Sequence, residues 1–135
     1  MIIGDIHEDG KYLFPGTGSS TETGRGEAVG TKFNAPLEPG AGDKEFARAF
    51  DEIFEFVEKL EPEFIFFQCG ADSLSGDPIT RLEYSEKAHA YAAKRLHDLA
   101  HSACDGRILA IGGGGYEMHN VNRAWAGVVN ELSKN

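Results

Sequence analysis

The chain has 135 residues, of which 41% are hydrophobic and 26% charged, a composition typical of one folded domain with a buried core. Its 22 acidic side chains outnumber the 13 basic ones and leave a net charge of −9, which argues against nucleic-acid binding because that depends on neutralising phosphates. Two cysteines argue against a disulfide framework, and the sequence has neither a leader-like start nor an apolar run of about 18 residues, so we expect a cytoplasmic protein with no membrane partner.

The amino-terminal half combines short apolar runs, a long loop and one helix. MIIGDIH (1–7) predicts a buried strand, and residues 8–31, rich in glycine and polar side chains, predict a surface loop long enough to carry function. KFNAPL (32–37) predicts a weak strand that Pro36 is expected to end. Over residues 43–60, apolar side chains recur at steps of three and four, which predicts an amphipathic helix.

The carboxyl-terminal half repeats the order strand, then helix. FIFFQCG (64–70) is a continuous apolar run that predicts a strand covered on both faces, and RILAIGG (107–113) predicts another buried strand. Periodic apolar positions predict helices over about 85–103 and 119–132. Strands that alternate with helices predict an α/β fold, a parallel sheet sandwiched by helices, within a single domain of residues 1–135.

Three glycine-rich loops follow the predicted strands: HEDGKYLFPGTG (7–18), GADSLSGDP (70–78) and GGGGYEMHN (112–120). Because ligands bind beyond the carboxyl ends of parallel strands, we expect the three loops to form one pocket. The four consecutive glycines do not fit a dinucleotide fingerprint, since Glu117 or Met118 stands where its last glycine belongs. Close packing of a strand against a helix also explains such glycines, and both explanations stay open.

Carboxylates and one histidine near the predicted strand ends are candidate metal ligands. Asp72 and Asp77 lie in the second loop, where a carboxylate binds a metal, accepts backbone hydrogens or caps a turn. A turn cap is the preferred interpretation for Asp77. Asp5 and His7 are two residues apart on the first strand, so their side chains point the same way and can form half of a metal site.

Three runs, LFPGTG (13–18), QCGADSLSGDP (68–78) and GGGGYEMHNVNRAW (112–125), carry a family resemblance. In this order and spacing they resemble the C-terminal part of the zinc-dependent histone deacetylase family, especially its prokaryotic deacetylase-like and acetoin utilisation members. The resemblance covers nearly the whole chain. It implies a partial arginase-deacetylase fold and hydrolysis of an acetyl amide, on an acetylated lysine or on a small acetyl-amide substrate.

The resemblance also implies roles for individual residues. Asp72 corresponds to an aspartate that binds Zn²⁺, and Tyr116 corresponds to the tyrosine that donates a hydrogen bond to the developing oxyanion. The residues that correspond to the walls, rim and floor of the substrate channel are Phe14, Ile79, Gly114 and Gly115. The strand over residues 2–7 corresponds to a segment beside a structural K⁺ site.

The chain departs from the family pattern near its amino terminus. The family supplies its other zinc ligands from an Asp-x-His-His-Gly type segment, and its paired catalytic histidines also come from an earlier part of the chain. GDIHEDG (4–10) does not match that segment, because Glu8 stands where the second histidine belongs. Asp5 and His7 therefore remain a separate metal-site candidate. We expect a partial active site that lacks the paired histidines and two zinc ligands.

Two functions follow from this expectation. The first is an enzyme module that works together with a missing N-terminal half. An in-frame His-His-Gly segment encoded upstream of Met1 would show that the chain is such a fragment. The alternative is a non-catalytic domain that keeps the deacetylase fold for binding or oligomerisation. Part of a larger sheet leaves an edge and an apolar face uncovered, which predicts a homo-oligomer or a partner.

Overall fold

The computed structural model describes residues 1–134, in which strands and helices alternate as predicted. Within these residues no helix has the length and apolar character needed to cross a membrane. A short 3₁₀ turn, Gly26–Ala28, lies in the loop after the first strand. The elements are β1 (Ile3–Glu8), β2 (Lys32–Leu37), α1 (Asp43–Glu58), β3 (Ile65–Gln68), α2 (Glu86–Ala103), β4 (Ile108–Ile111) and α3 (Met118–Leu132).

The strands form two parallel pairs, which confirms the predicted α/β fold with parallel strands. β1 pairs with β2 over its full length, with Ile3 opposite Lys32, and β3 pairs with β4, with Ile65 opposite Ile108. β2 does not stop at Pro36 but runs to Leu37. The proline is tolerated because β2 pairs only with β1 in the described residues, so its missing N–H can face the unpaired side.

The starts of α1 and α2 are joined by one carboxylate. Glu45 accepts a hydrogen bond from the Gly42 N–H, which fixes the first turn of α1. Ser85 caps α2 by accepting a bond from the Lys87 N–H. The Asp43 carboxylate in turn accepts bonds from both the N–H and the hydroxyl of Ser85. This contact sets the two helices side by side over the strands.

The three helices pack on one face of the strands. Ile65 is buried against α1 and α2, and Cys69 is buried against α2 and α3. The opposite face, which we call the open sheet face, is exposed in the described residues, whereas the run 64–70 was predicted to be covered on both faces. The large apolar side chains on it are Phe64, Phe66, Leu109 and Ile111. Phe66 is 71% exposed, because no described element packs against that side of β3.

Candidate functional site

We call the loops that follow β1, β3 and β4 the first loop (residues 9–31), the second loop (69–85) and the third loop (112–117). The second loop contacts both of the other loops at the carboxyl ends of the strands, and the single pocket expected from the three loops stays a prediction. Arg81 in the second loop donates to the buried carboxylate of Glu8 through its backbone N–H, Nε and Nη2, and Nη2 also reaches the Tyr12 carbonyl at 2.9 Å. The second and third loops join through Ala71 N–H, which donates to the Gly114 carbonyl at 2.7 Å.

Asp72 lies half-buried in the second loop, just beyond β3. Burial raises the pKa of its carboxyl group and outweighs the hydrogen bond from its own backbone N–H, which lowers that pKa, while the neighbouring Asp77 raises it further. No side chain in residues 1–134 donates a hydrogen bond to this carboxylate. The Thr80 hydroxyl instead donates to the Asp72 backbone carbonyl. Asp72 therefore presents a partly desolvated carboxylate whose oxygens still have acceptor capacity.

Glycines allow the third loop to lie directly against Asp72. A Cβ atom placed on Gly114 would lie 2.0 Å from Asp72 Oδ2, and one placed on Gly70 would lie 2.8 Å from the Gly114 nitrogen. Gly115 has a φ of +141°, a region that L side chains rarely adopt. These glycines thus permit the second and third loops to pack closely together, and their role in lining a pocket stays a prediction.

Tyr116 follows the last glycine and its side chain is 63% exposed. Its backbone N–H donates to Asp77 Oδ2 at 2.9 Å, while Asp77 Oδ1 accepts from the Ile79 N–H at 2.8 Å. The turn cap predicted for Asp77 is thus present, but the bond to the third loop was not foreseen. Asn120, at the start of α3, donates to the Ser75 carbonyl and holds that helix against the second loop.

His89 is a residue near the site to which the sequence assigned no partner. It is buried in α2, and its Nε2 lies 2.8 Å from the carbonyl of Gly70, two residues before Asp72. Burial lowers the pKa of His89, which favours the neutral ring that donates from Nε2. Its position beside Ala88 and Ala92, on the buried face of α2, is the sequence feature that could have indicated its burial.

Asp5 and His7 lie together on β1, as their spacing predicted. His7 Nδ1 is 3.4 Å from Asp5 Oδ2, and its Nε2 is 3.1 Å from the Gly18 carbonyl. The close approach of the two side chains lowers the pKa of Asp5 and raises the pKa of His7. His7 Nε2 is therefore bonded within the protein, whereas Nδ1 is buried beside Asp5 without a hydrogen bond of good geometry. Binding of a metal by this pair stays a prediction, as does a K⁺ site near β1.

The residues expected to form the channel wall and rim are exposed. Phe14 is 92% exposed and Ile79 is 53% exposed. Phe14 borders a cavity of about 290 Å³ that Asp5 and His7 also line. Asp72 and Tyr116 do not line this cavity. Phe14 therefore borders a different space from the candidate zinc ligand and the candidate oxyanion donor.

The metal-binding capacity of the described chain is limited. Asp72 has the chemistry of one zinc ligand, since its carboxylate is free of ion pairs and partly removed from water. Catalytic zinc sites usually have three protein ligands. Residues 1–134 contain no group of three or more His, Cys, Asp or Glu side chains placed to hold a metal ion. Asp72 therefore fits the role of one contributor to a zinc site.

The chain forms part of an α/β domain, with parallel strands and with helices on one face of them. Its candidate site lies at the strand ends, where a carboxylate is placed. The family model described as "Histone deacetylase domain" matches residues 1–132. The chain belongs to this family, as the three sequence runs predicted.

Relatives and solved structures agree with this assignment. The acetoin utilization protein AcuC of Bacillus subtilis (strain 168) is 40% identical over 129 residues, covering 94% of this chain and 33% of that protein. A probable deacetylase of Archaeoglobus fulgidus is 39% identical over 110 residues, covering 81% of this chain and 31% of that protein. The crystal structure of an HDAC homologue from Aquifex aeolicus has a TM-score of 0.87 and 31% identity, covering 98% of this chain and 35% of that one. The chain thus spans about a third of the length of these relatives.

Proposed function

We propose that this chain forms one part of the active site of a zinc-dependent amidohydrolase that removes acetyl groups from acetylated lysine or from a small acetyl amide. One observation carries the proposal: Asp72 and Tyr116 lie on two loops that bind each other, through Ala71 N–H to Gly114 and Tyr116 N–H to Asp77. A relative named as a probable deacetylase and the shared domain family support the reaction class.

In this proposal Asp72 is a ligand of the zinc ion and Tyr116 is the oxyanion donor. When bound, the zinc ion polarises the acetyl carbonyl and activates water. Asp72 has a free, partly desolvated carboxylate for the ion, and the exposed phenol of Tyr116 can reach a substrate and donate its O–H to the oxygen on which negative charge develops. The backbone of the third loop, without side chains at Gly114 and Gly115, leaves room beside the carboxylate.

The acyl chain is bound, in this proposal, between apolar side chains at the loop surfaces. Phe14 on the first loop and Ile79 on the second loop both present exposed apolar surface, which a bound hydrocarbon chain would cover. The Glu8–Arg81 contact holds these two loops at a fixed separation. Binding an extended acyl-lysine side chain is thus consistent with the placement of Phe14 and Ile79.

The other zinc ligands and the paired histidines come from further parts of a deacetylase domain. This chain spans about a third of its relatives, so the remaining two-thirds can supply these groups. We propose that the same remaining two-thirds also covers the open sheet face, where Phe66 and Leu109 are 71% and 47% exposed. Covering that face and completing the zinc site are then two results of one association.

The experiment measures bound zinc and the acetate released from an acetyl-lysine peptide. The purified chain is assayed alone and mixed with the part of the Bacillus subtilis relative that it does not match. Asp72→Asn and Tyr116→Phe are the test variants. Asp98→Asn, at an exposed carboxylate paired with Lys94, and Tyr91→Phe, in α2, are the matched controls.

We expect turnover in the mixture and not in the chain alone. Asp72→Asn should lose both zinc and turnover, whereas Tyr116→Phe should keep zinc and lose about 10²–10³-fold in kcat, the usual effect of removing one oxyanion donor. Stoichiometric zinc and turnover in the chain alone would show that the site is not partial. An active mixture that is indifferent to Tyr116→Phe would refute the role of Tyr116.

A non-catalytic role is the alternative, and the open sheet face is the feature that favours it. An apolar surface of this kind also fits self-association of the chain. Light scattering separates the two functions. A stable homo-oligomer that buries the face, together with no zinc and no turnover in the mixture, would replace the enzyme module by an oligomerisation domain.

A further inference from the structure

The carboxylate of Asp77 is buried between the second and third loops. The residue is 8% exposed, and each of its two oxygens accepts one backbone hydrogen bond, Oδ1 from Ile79 at 2.8 Å and Oδ2 from Tyr116 at 2.9 Å. In the described part of the chain no lysine or arginine pairs with it. The charge of Asp77 is therefore balanced by two backbone N–H groups that belong to different loops.

A turn cap alone does not account for a buried charge. A cap on the turn to Ile79 needs one acceptor oxygen, which asparagine or serine also supplies. Burying a carboxylate costs free energy unless both of its oxygens are hydrogen-bonded, and charged acceptors make stronger hydrogen bonds than neutral ones. The second oxygen of Asp77 makes its bond to a residue 39 positions away along the chain. The carboxylate thus acts on the third loop as well as on its own turn.

The third loop has few other restraints close to Tyr116. The four residues before it are glycines, which have no side chains to pack and the largest backbone freedom. The side chain of Tyr116 is 63% exposed, so packing does not hold it. The N–H of Gly115 makes no hydrogen bond within residues 1–134, in contrast to the N–H of Tyr116. The hydrogen bond to Asp77 is therefore the direct restraint on the backbone position of Tyr116.

We propose that Asp77 is a positioning residue that fixes Tyr116 and Ile79 relative to each other. One rigid carboxylate holds the backbone of both residues, so the point from which the Tyr116 side chain projects keeps a constant separation from the channel rim. A misplacement of about 1 Å at such a group can cost on the order of 10²-fold in rate. This inference rests on the proposed function, because the roles of Tyr116 and Ile79 in catalysis belong to it.

Amide hydrogen exchange, followed by NMR on the ¹⁵N-labelled chain, tests the restraint without any assay of activity. In the wild type we expect the Tyr116 amide to exchange at least tenfold more slowly than the Gly115 amide, after correction for intrinsic rates. Asp77→Asn keeps the size of the side chain but has only one oxygen acceptor. We expect the local turn to Ile79 to retain that oxygen, so Tyr116 exchange should accelerate at least tenfold.

Asp43→Asn is the matched control, because Asp43 also accepts two hydrogen bonds, both from Ser85, far along the chain from the third loop. It should leave exchange at Tyr116 unchanged. Equal exchange at Tyr116 and Gly115 in the wild type would overturn the inference even where Asp77→Asn fails to fold. Unchanged Tyr116 exchange in a folded Asp77→Asn protein would overturn it as well.

Kinetics in the active mixture provide the second readout. Asp77→Asn should lower kcat by about 10–100-fold with zinc content retained, and should add little once Tyr116→Phe is present, since both changes remove the same oriented donor. Full additivity of the two losses would contradict a positioning role. If exchange behaves as expected while Tyr116→Phe keeps full turnover, the proposed function fails and the restraint by Asp77 stands.

Discussion

Replacing Gly114 with alanine should displace the Asp72 carboxylate. The new methyl carbon would lie 2.0 Å from Oδ2 and 2.5 Å from Cγ of Asp72, whereas ordinary van der Waals contact begins at 3.4 Å. Either the carboxylate rotates away or the third loop withdraws from the second. Overpacking of this kind costs about 1–3 kcal/mol of unfolding free energy. Gly112→Ala, in the same glycine run, meets only Trp125 Cζ2 at 3.7 Å and should be neutral or slightly stabilising.

Urea unfolding followed by circular dichroism measures both variants, each also in an Asp72→Ala background. That background removes the two shortest contacts of the new methyl group and leaves the third, with the Cβ of residue 72 at 3.1 Å, so most of the cost of Gly114→Ala should disappear. We expect a coupling free energy of about 1–2 kcal/mol. The contact between Asp72 and the third loop is refuted if Gly114→Ala costs no more than Gly112→Ala, or costs the same with and without the carboxylate.

Two further predictions concern other buried groups. Arg81→Met leaves the fully buried Glu8 carboxylate with only a backbone N–H partner, so unfolding free energy should fall by about 2–4 kcal/mol and recover in part in the Glu8→Gln, Arg81→Met double variant; an unchanged urea midpoint would contradict this. Burial raises the pKa of the Cys69 thiol to about 11 from an ordinary value of 9.0. Because its folded pKa is raised, Cys69 stabilises the folded state fully below the unfolded pKa and progressively less as pH rises toward the folded pKa. The stability difference between wild type and Cys69→Ala should therefore shrink by about 2 kcal/mol from pH 9 to pH 11. A difference independent of pH would show that Cys69 ionises equally in both states.

The order of helices and strands was predictable because it depends on local patterns. The helix predicted over 43–60 is found at Asp43–Glu58, and the strand predicted over 32–37 is found at Lys32–Leu37. Apolar spacing and the residues that end each run lie within one element, so the sequence contains them directly. The apolar run 64–70 gave the strand correctly but not its exposure, because exposure depends on which other elements pack against it.

The candidate site was only partly predictable. Asp72 and Tyr116 were singled out because three motifs resemble one family, and their role in chemistry stays a proposal. The bond from Tyr116 to Asp77 joins residues 39 positions apart, and that from His89 to Gly70 joins residues 19 apart. No periodicity within a single element encodes such pairs, so the sequence could indicate a turn cap at Asp77 but not its second partner.

The sequence alone determined the alternation of strands and helices, the glycine-rich loops at the strand ends and, through three motifs, the family. The tertiary structure decided that the helices cover one face, that Arg81 reaches Glu8 across 73 positions, and that the backbone at Gly114 lies against Asp72. The physical reason is range: hydrophobic periodicity acts within an element, whereas these contacts join residues of different elements. They depend on the pairing of β3 with β4 and on how the two strand pairs and the helices pack together.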